Sequence, residues 1–124
     1  MIPKLISPKQ HGYADYGFAA ALLFTPAVLG MNTKAQKIYA ALGCNVIAIN
    51  SVTDHGSAIK PLLSIKTHQK IDMANIALLY GLFTVDPIQK DKKALAFHIG
   101  LTALATLNVL MTDYKAGVPK HLRK

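Results

Sequence analysis

Four long apolar segments alternate with short polar segments along this chain, over residues 14–29, 38–52, 71–85 and 94–111. Ala, Leu and Ile dominate these segments, which are too long and too continuous for strands and therefore favour helices. Each is shorter than the roughly 20 residues of an ideal transmembrane helix, but flanking lysines extend the usable length by reaching to the membrane surface. The pattern predicts an all-α, four-transmembrane-helix bundle.

The connections between the segments follow from their polar residues. Tight turns are predicted at 30–33 and 86–89, and Thr33 and Asp91 are suitable N-caps for the helices that follow. The middle connection, residues 55–67, is longer and contains several apolar side chains. It is predicted to lie along the membrane surface as a short interfacial segment.

The second half of the chain repeats the first. A His-x3-Asp pair opens each half, as His11-Asp15 and His68-Asp72. A Thr-Asp pair lies near the end of each half, at 53–54 and 112–113. The two Thr-Asp pairs are separated by nearly the same length of chain as the two His-x3-Asp pairs. Such self-similarity predicts one membrane domain over 1–124 built from two tandem helix pairs. Since both pairs begin on the same side, a pseudo-two-fold axis along the membrane normal relates them.

The predicted extents of the repeats are about 9–56 and about 66–115, followed by a basic tail over 115–124. Small residues within the helices allow backbones to approach closely in membranes. The residues predicted to mediate such contacts are Gly17, Ala20, Gly43, Ala77 and Gly100.

Composition and charge agree with a membrane protein. Apolar residues make up 52% of the chain and charged residues 16%, and the six acidic residues are all Asp. The net charge is +8, but the lysines lie between the apolar segments and do not form one basic helix face. This distribution argues against a nucleic-acid partner and favours anionic lipid headgroups.

The side that holds both termini and the middle connection has nine basic residues, and the side with the two short turns has five. The positive-inside rule therefore places both termini in the cytoplasm. Tyrosines are predicted to form interfacial belts at the two ends of the bundle: Tyr39 and Tyr80 at one end, and Tyr13, Tyr16 and Tyr114 at the other.

The repeat gathers the titratable side chains at the cytoplasmic end of the bundle. His11 and Asp15 share one helical face because they are four residues apart, and His68 and Asp72 do the same. Seven groups are predicted to lie at similar depth and are candidate metal ligands: His11, His68, His55, Asp15, Asp54, Asp72 and Asp113.

This polar ring has two main interpretations. In the first, it is structural and joins the two halves of a small accessory membrane protein, a homo-oligomer or a subunit of a larger membrane complex. In the second, His11, His68, Asp15 and Asp72 bind a cofactor: a divalent metal, a haem with both histidines as axial ligands, or a quinone. A membrane enzyme that uses His and Asp as acid and base is a third alternative, although no nucleophile motif accompanies them.

Residues 11–30 resemble the SPW-repeat family of small bacterial membrane proteins. In that family a helix carries an Asp beside an aromatic residue, then Leu-rich residues, then Ser-Pro-Trp and Leu-Gly. Here Asp15-Tyr16 corresponds to the first pair, Thr25-Pro26-Ala27 replaces Ser-Pro-Trp, and Leu29-Gly30 follows. The chain has no Trp, and the second copy lacks the Pro. The resemblance implies a helix-pair repeat in the bacterial inner membrane and implies no reaction.

Overall fold

Four long helices and one short helix are seen in the computed structural model, which describes residues 1–117. The bounds are α1, Pro8–Val28; α2, Thr33–Ser51; α3, Ile65–Gly81; α4, Asp86–Gln89; and α5, Lys92–Met111. Short 3-10 turns cover Leu82–Thr84 and Tyr114–Gly117. The all-α prediction is confirmed. Most of the predicted basic tail, residues 118–124, lies outside the described residues.

Serine caps set the phase of the two helices that carry the His-x3-Asp pairs. Ser7 and Gln10 form a capping box at the start of α1, and Ser64 Oγ accepts a hydrogen bond from the Thr67 N–H at the start of α3. Both caps make the histidine the fourth residue of its helix. His11 and His68 therefore start from equivalent positions in the two halves.

The segment before each cap pairs with the end of the other half of the chain. Ile6 forms a parallel bridge with Thr112, and Leu63 forms one with Thr53. Ile6 and Leu63 occupy equivalent positions in the two halves, and Thr53 and Thr112 are the threonines of the repeated Thr-Asp pairs. The contacts therefore repeat together with the sequence. The two bridges hold the beginning of each helix pair against the end of the other.

The opposite end of the bundle differs from its prediction in two ways. Asn32, not Thr33, caps α2, and its side-chain amide also donates to Asp91 Oδ2 at 2.9 Å. Asp91 caps α5 as predicted. Residues 86–89 form the single-turn helix α4 instead of a simple turn, because Pro87 suits the first turn of a helix.

Helix packing is tighter in the first half than in the second. A Cβ on Gly43 would lie 2.8 Å from Leu23 Cγ, so α1 and α2 need a glycine there, whereas a Cβ on Gly100 would meet nothing within 4 Å. Gly17, Ala20 and Ala77 are exposed, as is Gly100. The prediction of close helix contact holds for Gly43 and is wrong for the other four residues.

A second buried polar contact joins three helices away from the titratable cluster. The Tyr39 hydroxyl donates to His98 Nδ1 at 2.9 Å, and His98 Nε2–H donates to the Leu79 carbonyl at 2.7 Å. Tyr39 is fully buried and Tyr114 is 5% exposed. These two tyrosines therefore belong to the interior, and their assignment to interfacial belts is wrong.

Among the described residues, α5 is the one helix that is long and apolar enough by itself to cross a membrane. The other long helices differ in particular ways. α3 has 17 residues, which corresponds to about 26 Å against a hydrocarbon core of about 30 Å. The first turns of α2 are polar, with Thr33, Lys34, Gln36 and Lys37.

Candidate metal centre

Four side chains from the two His-x3-Asp pairs meet at the capped end of the bundle. We call His11, Asp15, His68 and Asp72 the His/Asp tetrad. All four residues are buried, and one ligand atom from each lies within 4.8 Å of the others. His11 Nε2 lies 3.2 Å from Asp15 Oδ2 and 3.1 Å from Asp72 Oδ2. His68 Nε2 lies 3.0 Å from Asp15 Oδ2 and 3.2 Å from Asp72 Oδ1. Each imidazole thus contacts both carboxylates.

Two threonines fix the orientation of the imidazoles. Thr112 Oγ1 lies 2.8 Å from His11 Nδ1, and Thr53 Oγ1 lies 2.6 Å from His68 Nδ1. Each hydroxyl donates its proton to the carbonyl four residues earlier, in the last turn of the preceding helix, so its oxygen is left to accept from Nδ1–H. Both histidines therefore carry a proton on Nδ1, and both Nε2 atoms face the carboxylates. Asn108 Nδ2 also lies 3.1 Å from His11 Nδ1, but the Thr112 oxygen is nearer and is the acceptor, since its own proton is donated to the Asn108 carbonyl. Metal-binding histidines are commonly oriented by an acceptor in this way.

The carboxylates have outer partners as well. The Tyr114 hydroxyl donates to Asp72 Oδ2 at 2.7 Å, and Asn108 Nδ2 donates to Asp15 Oδ1 at 3.4 Å. Burial, followed by the nearby Asp72 carboxylate, raises the pKa of the Tyr114 hydroxyl, which keeps it a donor. Four residues around the tetrad thus position its four members.

The distances in the tetrad suit a tetrahedral metal ion. Corners about 2.0 Å from a central zinc ion lie about 3.3 Å from one another. The four His–Asp distances, 3.0 to 3.2 Å, are close to this edge length, with Asp72 using Oδ2 toward His11 and Oδ1 toward His68. One ligand atom from each residue lies within 4.8 Å of the others, so the four side chains would move slightly closer together around an ion. His11 Nε2 is also buried without a hydrogen bond, because the carboxylates lie off its donor direction. A deprotonated Nε2 would present its lone pair to an ion shared with the carboxylates.

His11 and His68 lie just before the apolar segments 14–29 and 71–85, and the pKa of each imidazole is raised. Burial by itself lowers the pKa of the His11 imidazole, but the two carboxylates outweigh burial and raise it above its ordinary value of 6.5. The same balance raises the pKa of His68. Without a metal, two imidazolium and two carboxylate groups near neutral pH give the tetrad a net charge of zero.

Three of the seven predicted ligands lie outside the tetrad. His55 Nε2–H donates to Asn50 Oδ1 at 2.7 Å, and His55 Nδ1 lies 3.0 Å from the Ser57 hydroxyl, so both ring nitrogens are engaged. Burial, followed by His68 and His11, lowers the pKa of His55, which favours its neutral form. Asp54 is exposed, and Asp113 accepts backbone hydrogen bonds in the turn that follows α5. The structure thus separates these three from the other four candidates.

The arrangement does not suit a haem between His11 and His68. The two ring centroids are 5.3 Å apart, the rings are nearly perpendicular, and the carboxylates lie against both Nε2 atoms. A porphyrin plane needs the space that Asp15 and Asp72 fill. The metal alternative fits the tetrad better than the haem alternative.

Sequence reasoning missed the residues that surround the tetrad. It singled out the Thr-Asp pairs but assigned their chemistry to the aspartates, whereas the threonines contact the imidazoles. The recurrence of Thr53 as Thr112 was the available signal. Nothing in the sequence pattern indicated the roles of Asn108 and Tyr114, which depend on how α5 and the turn after it pack on α1 and α3.

Comparison with known protein families, with curated proteins and with solved structures finds no match to this chain. The resemblance to the SPW-repeat family stays a prediction.

Proposed function

We propose that this protein is a small membrane protein that binds one divalent first-row metal ion through the His/Asp tetrad. The observation that carries the proposal is the convergence of two Nε2 atoms and two carboxylates, with each Nδ1–H held by a threonine. Imidazole nitrogen and carboxylate oxygen suit Zn²⁺, Mn²⁺ and Fe²⁺, and a four-coordinate arrangement favours zinc among them.

The membrane part of the proposal is supported by the surface of the bundle. Large apolar side chains are exposed on all four long helices, among them Phe24, Ile47, Leu78 and Leu104. An exposed apolar surface of this extent marks contact with lipid or protein. We place four spans in a bacterial inner membrane, with both termini in the cytoplasm and anionic headgroups beside the basic connections. The tetrad then lies near the cytoplasmic surface, within reach of cytosolic metal.

A structural role without metal is the second candidate. Two imidazolium and two carboxylate groups compensate one another fully, and each histidine contacts an aspartate of its own half and one of the other half. Such a network joins the two helix pairs without any ligand. It corresponds to an accessory membrane protein whose partner is a second copy or a larger complex.

The experiment that separates the two candidates measures zinc on detergent-purified protein. Metal content and calorimetric titration with Zn²⁺ are compared for the wild type, His11→Gln, His68→Gln and the control His98→Gln. The control replaces a histidine that is equally buried but bonded to Tyr39 and Leu79.

We expect one zinc ion per chain in the wild type and in His98→Gln. Affinity should be at least 100-fold lower in either tetrad variant, because one of four ligands is lost. A wild type that binds no zinc, manganese or iron while remaining helical would overturn the metal proposal and leave the structural role.

A further inference from the structure

A cavity extends from the tetrad into the middle of the bundle. Its volume is about 70 Å³, and all four long helices line it. Asp15, His68, Asp72 and Asn108 form its polar end, and Leu22, Leu79 and Leu101 lie at its apolar end. At 10–15 Å³ per water, this space holds about five water-sized groups. A cavity polar at one end and apolar at the other matches an amphiphilic molecule.

The cavity opens sideways between α2 and α3. Packing joins α1 to α2, α3 to α5 and α1 to α5, whereas contact between α2 and α3 is weak. Asn45 of α2 lines the cavity and is exposed, and Asn75 of α3 lines it at intermediate exposure. Among residues 1–117, neither asparagine side chain has a hydrogen-bond partner. We call this opening the α2–α3 cleft. In the proposed membrane orientation it faces lipid.

The polar end lacks a partner for one buried group. Asn108 Oδ1 is buried and forms no hydrogen bond within the described residues. If the amide is turned, its Nδ2–H takes the same place, so the missing partner must be able to donate or to accept. A hydroxyl group does both. The orphaned amide therefore points to a ligand whose head carries an O–H group.

The charge of the cavity argues against an anionic head. Within residues 1–117, no Lys or Arg lines it, so nothing there would hold a carboxylate or a phosphate. A neutral alcohol with one long apolar chain meets all of these conditions.

We propose that the α2–α3 cleft binds a single-chain lipid alcohol, with its hydroxyl at Asn108 beside the tetrad and its chain extending between α2 and α3 toward the bilayer. This inference rests on the membrane orientation of the proposed function. It does not require a metal ion in the tetrad, because the Asn108 amide and the lining of the cavity carry it.

The test uses a photoactivatable dodecanol with a diazirine in its chain, added to the protein in lipid vesicles with zinc and, separately, with a chelator. Labelled peptides are located by mass spectrometry in the wild type, in Ala105→Phe and in Ala103→Phe. Ala105 lines the cavity, whereas Ala103, two residues away on the same helix, is exposed. Asn75→Leu is a second variant that removes a polar group while adding little volume.

We expect labels on peptides that contain Val46 or Ile76, with at least a tenfold reduction in Ala105→Phe, a smaller reduction in Asn75→Leu and no change in Ala103→Phe. Unlabelled dodecanol should compete, and dodecanoate should not. If Ala105→Phe does not fold, the labelling of Asn75→Leu and the competition by unlabelled dodecanol test the proposed site.

Labels spread over the exposed faces, or equal competition by dodecanoate, would overturn the inference. Loss of zinc binding with retained labelling would overturn only the metal proposal. Zinc binding without labelling would overturn only the cleft.

Discussion

At the scale of single residues, the two threonines have the clearest role around the tetrad. Thr53 and Thr112 each donate to the last turn of the preceding helix and accept from a histidine of the other half of the chain. A Ser or Thr hydroxyl bonded to the carbonyl four residues back is ordinary in helices. Here the same bond leaves the oxygen as an acceptor, so a common helical feature selects the imidazole tautomer that exposes Nε2.

Thr112→Val should weaken zinc binding by about 10- to 100-fold, as is typical when an outer partner of a metal-bound histidine is removed. Valine keeps the shape of threonine and removes the hydroxyl, which accepts from His11 and donates to the Asn108 carbonyl at the end of α5, so the helix content should not change. Thr106→Val is the matched control, because its hydroxyl bonds to the Thr102 carbonyl and to Tyr80, away from the tetrad. Zinc titration by calorimetry reads out both variants, and equal affinities would contradict the assigned role of Thr112.

At the scale of helices, the two halves share their caps and their tetrad contacts but differ in packing. Gly43 brings α2 against Leu23 and the Ala19 carbonyl of α1, while its counterpart Gly100 lies in open space. The first helix pair is therefore closely packed and the second is looser. The bundle also departs from perfect two-fold symmetry at its cleft. α1 packs on α5, whereas the equivalent pair, α3 and α2, is separated by the cleft.

Alanine at the two equivalent glycines should have opposite effects on stability. Gly43→Ala should lower the free energy of unfolding by about 1–3 kcal/mol, because the new Cβ meets Leu23 Cγ and overpacks the contact. Gly100→Ala should raise it by about 0.5–1 kcal/mol, since alanine favours the helix and the site is open. Unfolding in mixed micelles, followed by circular dichroism, measures both. A destabilised Gly100→Ala would show that α5 is packed more closely than the structure has it.

At the scale of the whole molecule, protons and metal compete for the tetrad. The pKa values of His11 and His68 are raised in the folded protein. A raised pKa stabilises the fold below the unfolded value of about 6.5, and this contribution is lost as the pH rises through the folded value. A metal ion needs both Nε2 atoms deprotonated, so its binding follows the opposite trend.

The metal-free protein should therefore become less stable as the pH rises above about 6.5, and zinc should stabilise it more strongly over the same range. Thermal unfolding between pH 6 and pH 9 with zinc or with a chelator measures both trends, and the titration should release protons. In His11→Gln/His68→Gln, both pH dependences should disappear. A metal-free stability that rises with pH in the wild type would contradict the raised pKa values.

The proposed topology also belongs to this scale. In a Cys44→Ala background, a membrane-impermeant maleimide added outside intact spheroplasts should label Lys34→Cys and should not label Lys60→Cys. Both lysines are exposed, one at the turn end of α2 and one in the middle connection. Labelling of both positions, or of Lys60→Cys alone, would contradict four spans with cytoplasmic termini.

The sequence by itself determined the four long helices and the recurrence of His11-Asp15 as His68-Asp72, each pair on one face of its helix. Periodicity, caps and a four-residue spacing are local properties that a sequence displays directly. The tertiary structure decided which of the seven candidate ligands meet. His55 donates a hydrogen bond to Asn50, Asp54 is exposed, and Asp113 accepts backbone hydrogen bonds in the turn after α5. The α2–α3 cleft was likewise not visible in the sequence: it arises where two consecutive helices fail to pack, and no local pattern records the distance between them.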